Sequence, residues 1–134
     1  QAILGLSQIK RIDLDTEKRK KNAEVYLNSL KDLETIQMPL FLKSNNTSNI
    51  SQNFSRFPII AEEKNKLIDY LLKKGIDLNL GKSDLEVLKQ YTNKQFPNAE
   101  FLFNNTIFLP IYESLTKTQI ERICAQIINF YTAV

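Results

Sequence analysis

A helical apolar pattern runs through about the first 36 residues of this chain and breaks off in the middle. Ile3, Leu6, Ile9 and Ile12 recur at near-helical spacing in "QAILGLSQIKRI". "DTEKRKKN", Asp15 to Asn22, is polar all round, and the pattern resumes with Ala23, Tyr26, Leu27, Leu30 and Leu33. A helix that is apolar at both ends and polar at its centre bridges two packed regions. The expectation is one long helix over about 2–36, packed at both ends, exposed near 15–22 and stopped by Pro39. No Ser, Thr, Asp or Asn stands ahead of the pattern as an N-cap. The helix therefore reads as the continuation of a longer element.

The rest of the chain alternates strand and helix signals. "LKSNNTSNISQN" is a loop by composition. "FSRFPIIA" reads as a strand near 54–60, and Pro58 assigns it to a sheet edge or a bulge. "EEKNKLIDYLLKKG" follows as a helix with acidic residues first, lysines last and Gly75 just past its end. "IDLNL" alternates apolar and polar residues, so a half-buried strand is expected at 76–80. Ser83 and Glu86 form a capping box for a short helix near 84–91, and Pro97 opens another near 97–104. "TIFLP" gives a third strand near 106–110. The last helix carries the fullest set of start signals: Thr116 as N-cap, Gln119 at N3, and Leu115 placed to staple onto Ile120. Ile120, Ile123, Cys124, Ile127 and Tyr131 then mark its buried stripe. The fold class is α+β, a single domain over 1–134: the long N-terminal helix plus a three-stranded, mostly antiparallel sheet covered by helices.

Composition narrows the chemistry. The chain has one Cys and no His, which removes an internal disulfide, the usual general base and the commonest metal ligand. A lone Cys on a buried stripe is a small core residue. The net charge of +3 is scattered, and "KRKK" at 18–21 reads as a solvated helix face rather than a nucleic-acid stripe. Its three glycines, Gly5, Gly75 and Gly81, form no phosphate cradle. Asp13 with Asp15, and Glu62 with Glu63, read as helix-start or surface charge. Asn46, Asn49 and Asn53 begin N-x-S/T triplets that read as chance in an Asn-rich chain. No run of about 18 apolar residues and no leader-like segment is present. The expected setting is cytoplasmic, with no membrane or nucleic-acid partner and no metal. No complete active site is visible.

"FPNAEFLFNNTIFLPIYESLTKTQIERI", 96–123, resembles the C-terminal end of the DegT family of pyridoxal-phosphate-dependent, fold type I aminotransferases. Pro97, Ala99, Glu100, Leu109, Pro110, Leu115, Thr116 and Ile120 fall on the family pattern. "LGLSQIKRID…KRKKNAEVYLNSL" resembles its long interdomain helix through Leu6, Gln8, Ile9, Arg19, Asn22, Ala23, Tyr26 and Leu30. "RFPI…KGI" at 56–76 is similar to a strand, helix and Gly-Ile of its small domain.

The resemblance implies part of an α/β fold type I aminotransferase: the C-terminal small domain, beginning within the interdomain helix (1–38). The parent would transfer an amino group to a keto-sugar nucleotide, as a homodimer, with pyridoxal phosphate held by its own large domain and no cofactor or catalytic residue in this piece. The chain alone would then be inactive. Where the family has an aromatic segment leading to a Pro-containing substrate loop, this chain has "DLNLGKSDLEVLKQY". Asn79 and Lys82 are its candidate substrate-facing residues. A non-catalytic α+β interaction module derived from such a domain is the alternative.

Overall fold

The computed structural model describes residues 2–38, 53–78 and 94–133. The element order is α1 (Ala2–Ile9), α2 (Ile12–Leu30), β1 (Ile36–Gln37), β2 (Phe57–Ala61), α3 (Lys64–Lys73), α4 (Pro97–Asn105), β3 (Thr106–Leu109) and α5 (Lys117–Thr132). The sheet is three-stranded and antiparallel, in the order β1-β2-β3.

The long N-terminal helix differs from expectation at both ends. It breaks at Lys10–Arg11, where the Arg11 amide donates to Gln8 O at 3.0 Å instead of continuing the four-residue ladder. It also ends at Leu30 rather than near 36. Ile36 and Gln37 are claimed by the sheet, pairing with Ala61 and Ile60, so the chain must leave the helix earlier. Packing at both ends does not hold within this chain. Asn22, Ala23, Tyr26 and Leu30 are buried, whereas Ile3, Leu6, Ile9, Ile12 and Leu14 are exposed. Lys18 and Lys21 face solvent and Arg19 and Lys20 are half-buried, so the basic run stays out of the core.

The expected strand at 76–80 is not formed over its described part, 76–78. Ile76 and Leu78 are buried around an exposed Asp77, as the alternation implies, but 76–78 has no ladder partner among the described residues; 79–80 lie outside them. Alternation sets which side of an extended segment is buried, while a strand also needs a neighbour. The third strand is β1, two residues long and hidden in a helical pattern.

β2 is the middle strand, not an edge. Pro58 is nonetheless tolerated, because β1 reaches only Ile60 and Ala61. At Pro58, which sits opposite Phe108 of β3, the side facing β1 has, among the described residues, no strand that would require an N–H.

Helix ends follow their local chemistry. Gly75 (φ 75°) lets Ile76 N–H bond Leu71 O and Gly75 N–H bond Leu72 O, both at 2.9 Å, which is a Schellman close to α3. At its start, Glu62 and Glu63 precede the helix instead of lying in its first turn, and Glu63 takes φ 50°. α4 starts with Pro97 at its first turn. α5 opens with the full capping box: Gln119 N–H donates to Thr116 Oγ1 at 3.3 Å and Thr116 N–H donates to Gln119 Oε1 at 2.9 Å. Leu115 and Ile120 are both buried beside it. The core joins Phe57, Ile59 and Ala61 of β2 with Ile107 and Leu109 of β3, Leu67 and Leu71 of α3, and the buried stripes of α2 and α5. The Ser83–Glu86 box and the helix at 84–91 lie outside the described residues.

Candidate functional site

Arg19, Asn22 and Tyr26 stand three and four residues apart on α2, so they share one face of the helix. All three reach the connection between β3 and α5. Tyr26 Oη donates to Pro110 O at 2.8 Å, and its ring lies 5.0 Å from that of Phe57. Asn22 Nδ2 donates to Tyr112 O at 3.1 Å. Arg19 Nη2 meets Glu113 Oε2 at 3.4 Å. The segment after a Pro-terminated strand has carbonyls with no ladder partner, and this face of α2 supplies the donors. Asn22 is buried and Arg19 and Lys20 are half-buried, so the polar middle of the helix is not exposed all round as its sequence suggests.

Burial first, then the nearby Cys124 and Tyr112, pushes the Tyr26 phenol far up, so it remains a donor. A hydrogen bond from its own backbone, with Arg19 adding to it against slight desolvation, holds the Glu113 carboxyl below the usual range. Burial pushes the Cys124 thiol up to about 11, which leaves it protonated and unreactive at neutral pH.

Beside this ladder a cleft of about 520 Å³ is lined by Arg19, Arg56, Asp77, Phe108 and Tyr112. The Arg56 guanidinium lies 5.2 Å from the centre of the Phe108 ring. Tyr112 is half-exposed while the neighbouring Ile111 and Leu115 are buried. This cleft was not legible in the sequence. The spacing of Arg19, Asn22 and Tyr26 was the only signal, and it becomes readable once the partner loop is known.

The arrangement positions a loop; it does not assemble a nucleophile with a base. Among the described residues no group of three His, Cys, Asp or Glu could hold a metal ion. A site for pyridoxal phosphate does not fit the described residues either. It requires a desolvated lysine and a phosphate cradle, and Gly5 lies within α1 while Gly75 lies just past the end of α3. Lys64 opens α3. Partial burial lowers its pKa, but its Nζ donates to Phe103 O at 2.7 Å and sits 5.7 Å from that ring, closing the end of α4. Asn79 and Lys82 lie outside the described residues.

The fold is an α+β portion of the fold type I aminotransferase architecture. S. venezuelae DesV, solved in complex with a ketimine intermediate, superposes with a TM-score of 0.83 at 21% identity, over 100% of this chain and 36% of that one. Helicobacter pylori PseC, an aminotransferase involved in the biosynthesis of pseudoaminic acid, superposes with a TM-score of 0.77 at 21% identity, over 98% of this chain and 36% of that one. The chain belongs to the DegT/DnrJ/EryC1/StrS aminotransferase family, whose sequence model matches residues 1–128. A similar curated protein, the uncharacterized protein MJ1066 of Methanocaldococcus jannaschii, is 24% identical over 128 residues, 87% of this chain and 32% of that protein. The chain thus spans about a third of the length of these relatives.

Proposed function

We propose that this chain is the C-terminal small domain, beginning within the interdomain helix (1–38), of a pyridoxal-phosphate-dependent aminotransferase that aminates a keto-sugar nucleotide. The family match over residues 1–128 carries this reading. The solved neighbours, DesV and PseC, support the fold. In the parent enzyme the cofactor supplies the electron-sink chemistry of amino-group transfer. It would be held by the large domain of a cytoplasmic homodimer. The role of this domain is then to present the loop over 110–113, anchored by Arg19, Asn22 and Tyr26, and the segment with Asn79 and Lys82 to the sugar substrate.

The deciding experiment starts from the encoding frame upstream of Gln1. The extended protein should bind pyridoxal phosphate at one lysine outside these residues and transfer an amino group from an amino acid to a keto-sugar nucleotide. In that protein Asn79→Ala and Lys82→Ala should raise KM several-fold and leave cofactor binding unchanged. A frame with no catalytic portion upstream would instead establish the second reading, a non-catalytic interaction module. The loop-anchoring ladder, which holds structure but no reacting group, is the observation that keeps that reading in play.

A further inference from the structure

Along β2, Phe57, Ile59 and Ala61 turn into the core, so Arg56 and Pro58 point to the other face of the sheet. Phe108 stands opposite Pro58 on β3, half-buried between the buried Ile107 and Leu109, and points the same way. The cleft of about 520 Å³ opens on this outer face, with Arg19, Ser55, Arg56, Asp77, Phe108 and Tyr112 along it. Its volume is that of a pocket for a small molecule.

The groups along the cleft differ in what they can hold. Among the described residues its charges are two guanidiniums and one carboxylate. Arg56 stands over the Phe108 ring at 5.2 Å, which fixes a cation on the cleft wall. Arg19 reaches the rim from α2; its contact with Glu113 is long, 3.4 Å, and uses one of its N–H donors, leaving the rest of the fork to a ligand. Two guanidiniums on one cleft suit the oxygens of a phosphate or diphosphate group. Tyr112 is 52% exposed and offers its ring to a planar group. Asp77 is exposed and suits the hydroxyls of a sugar, which donate to a carboxylate. Just ahead of Arg56, Phe54 is held at φ 47° and Ser55 N–H donates to Asn53 Oδ1 at 3.1 Å. A bulky residue in the left-handed region is uncommon, and such residues gather at ligand clamps. This turn delivers Ser55 and Arg56 together to the cleft.

We propose that this cleft binds a nucleoside diphosphate, with the phosphates on Arg19 and Arg56, the base against Tyr112 and the ribose hydroxyls donating to Asp77. A lone phosphate would fill a fraction of the space and leave the rings uncovered. An apolar ligand would strip water from two guanidiniums and give nothing back. A nucleic-acid strand needs successive stacking rings along a charged track, whereas Tyr112 is the one largely exposed ring among the described residues of the cleft. Such a ligand has two sources, a sugar-linked nucleotide or a free one, and the keto-sugar nucleotide reading above enters only as the first of them.

The test is calorimetric titration of this chain with uridine and adenosine diphosphates, the two nucleosides, inorganic pyrophosphate and the corresponding nucleoside diphosphate sugars. One of the two diphosphates should bind saturably, and its nucleoside and pyrophosphate should each bind about 10-fold more weakly or worse. Arg56→Gln and Tyr112→Ala should each weaken binding about 10-fold, through a lost charge-assisted hydrogen bond and a lost stacking face. Arg56→Lys keeps the charge without the planar fork and should not restore binding. Lys66→Gln removes the same charge from an exposed site on α3 and should bind as the unsubstituted chain does. Tyr112 lies at the surface, so Tyr112→Ala tests the cleft with the core intact. Binding of the sugar-linked form as tightly as the free one assigns the cleft to the substrate, and rejection of the sugar-linked form assigns it to a free nucleotide; both support the site. Pyrophosphate binding as tightly as the nucleotide, unchanged affinity in Arg56→Gln and Tyr112→Ala, or no saturable binding overturns it. Amination by the protein extended upstream of Gln1 is measured separately. Amination without nucleotide binding by this chain overturns the site and leaves the aminotransferase reading standing, whereas binding without amination does the reverse.

Discussion

Tyr26 lies with its ring against Phe57 and its hydroxyl on Pro110 O, so one side chain joins α2, β2 and the segment after β3. Tyr26→Phe keeps the ring and leaves that carbonyl short of a donor. The expected cost is about 1–2 kcal/mol, read from the shift in denaturant midpoint; coincident midpoints would mean that water replaces the hydroxyl without loss. Cys124 and Tyr131 bring a pH dependence of definite sign. Burial raises them from ordinary values of 9.0 and 10.0 to about 11 and about 12. Both are neutral when protonated, so the stability they add is whole below the unfolded values and is lost as pH rises through the folded ones. Thermal stability should therefore fall between about pH 9 and 12. Cys124→Ala should flatten the lower part of that decline, and superimposable pH profiles of the two proteins would show that the thiol does not contribute.

At the scale of elements, α5 is the helix whose start is most firmly specified. Thr116→Ala removes the acceptor for Gln119 N–H and should cost about 1 kcal/mol, typical of a lost N-cap; an unchanged denaturant midpoint would contradict the capping box. The same helix turns its buried stripe, Ile120, Ile123, Cys124 and Ile127, into the shared core, where α5 packs on α2 and α3. Ile127→Ala should cost about 2–5 kcal/mol through lost burial and a residual cavity, whereas Leu72→Ala, at a position 58% exposed, should stay within about 0.5 kcal/mol. Similar losses at the two positions would mean that α3 and α5 are packed differently. α3 ends where Gly75 takes φ 75°, so Gly75→Ala should be destabilising by about 1 kcal/mol despite open space around the new methyl.

For the molecule as a whole, the expectation is that this chain alone neither holds pyridoxal phosphate specifically nor transaminates. Titration with the aldehyde, borohydride trapping and mapping of the adduct should yield weak labelling spread over several lysines. One stoichiometric adduct with turnover of an amino donor would reveal a complete site within these residues.

Much of the fold was legible because its signals are local. Thr116 with Gln119, Leu115 with Ile120, Gly75 and Pro97 each act within a few residues, and the structure realises each of them. The alternation in β2 and β3 likewise states which side chains face inward. The third strand was not legible, because β1 is two residues whose partners, Ala61 and Ile60, lie across a long connection. Nor was the break at Lys10–Arg11, where neither Gly nor Pro marks it. The ladder from α2 to the loop after β3 joins residues 84, 90 and 94 apart in the chain. The sequence by itself determined the starts of α4 and α5, the end of α3, inward faces and family, because capping, φ preference and periodicity are properties of short segments. Only the tertiary structure decided which polar groups of α2 are buried and which apolar ones are left bare, because a hydrogen bond or a buried face exists only when a distant partner arrives.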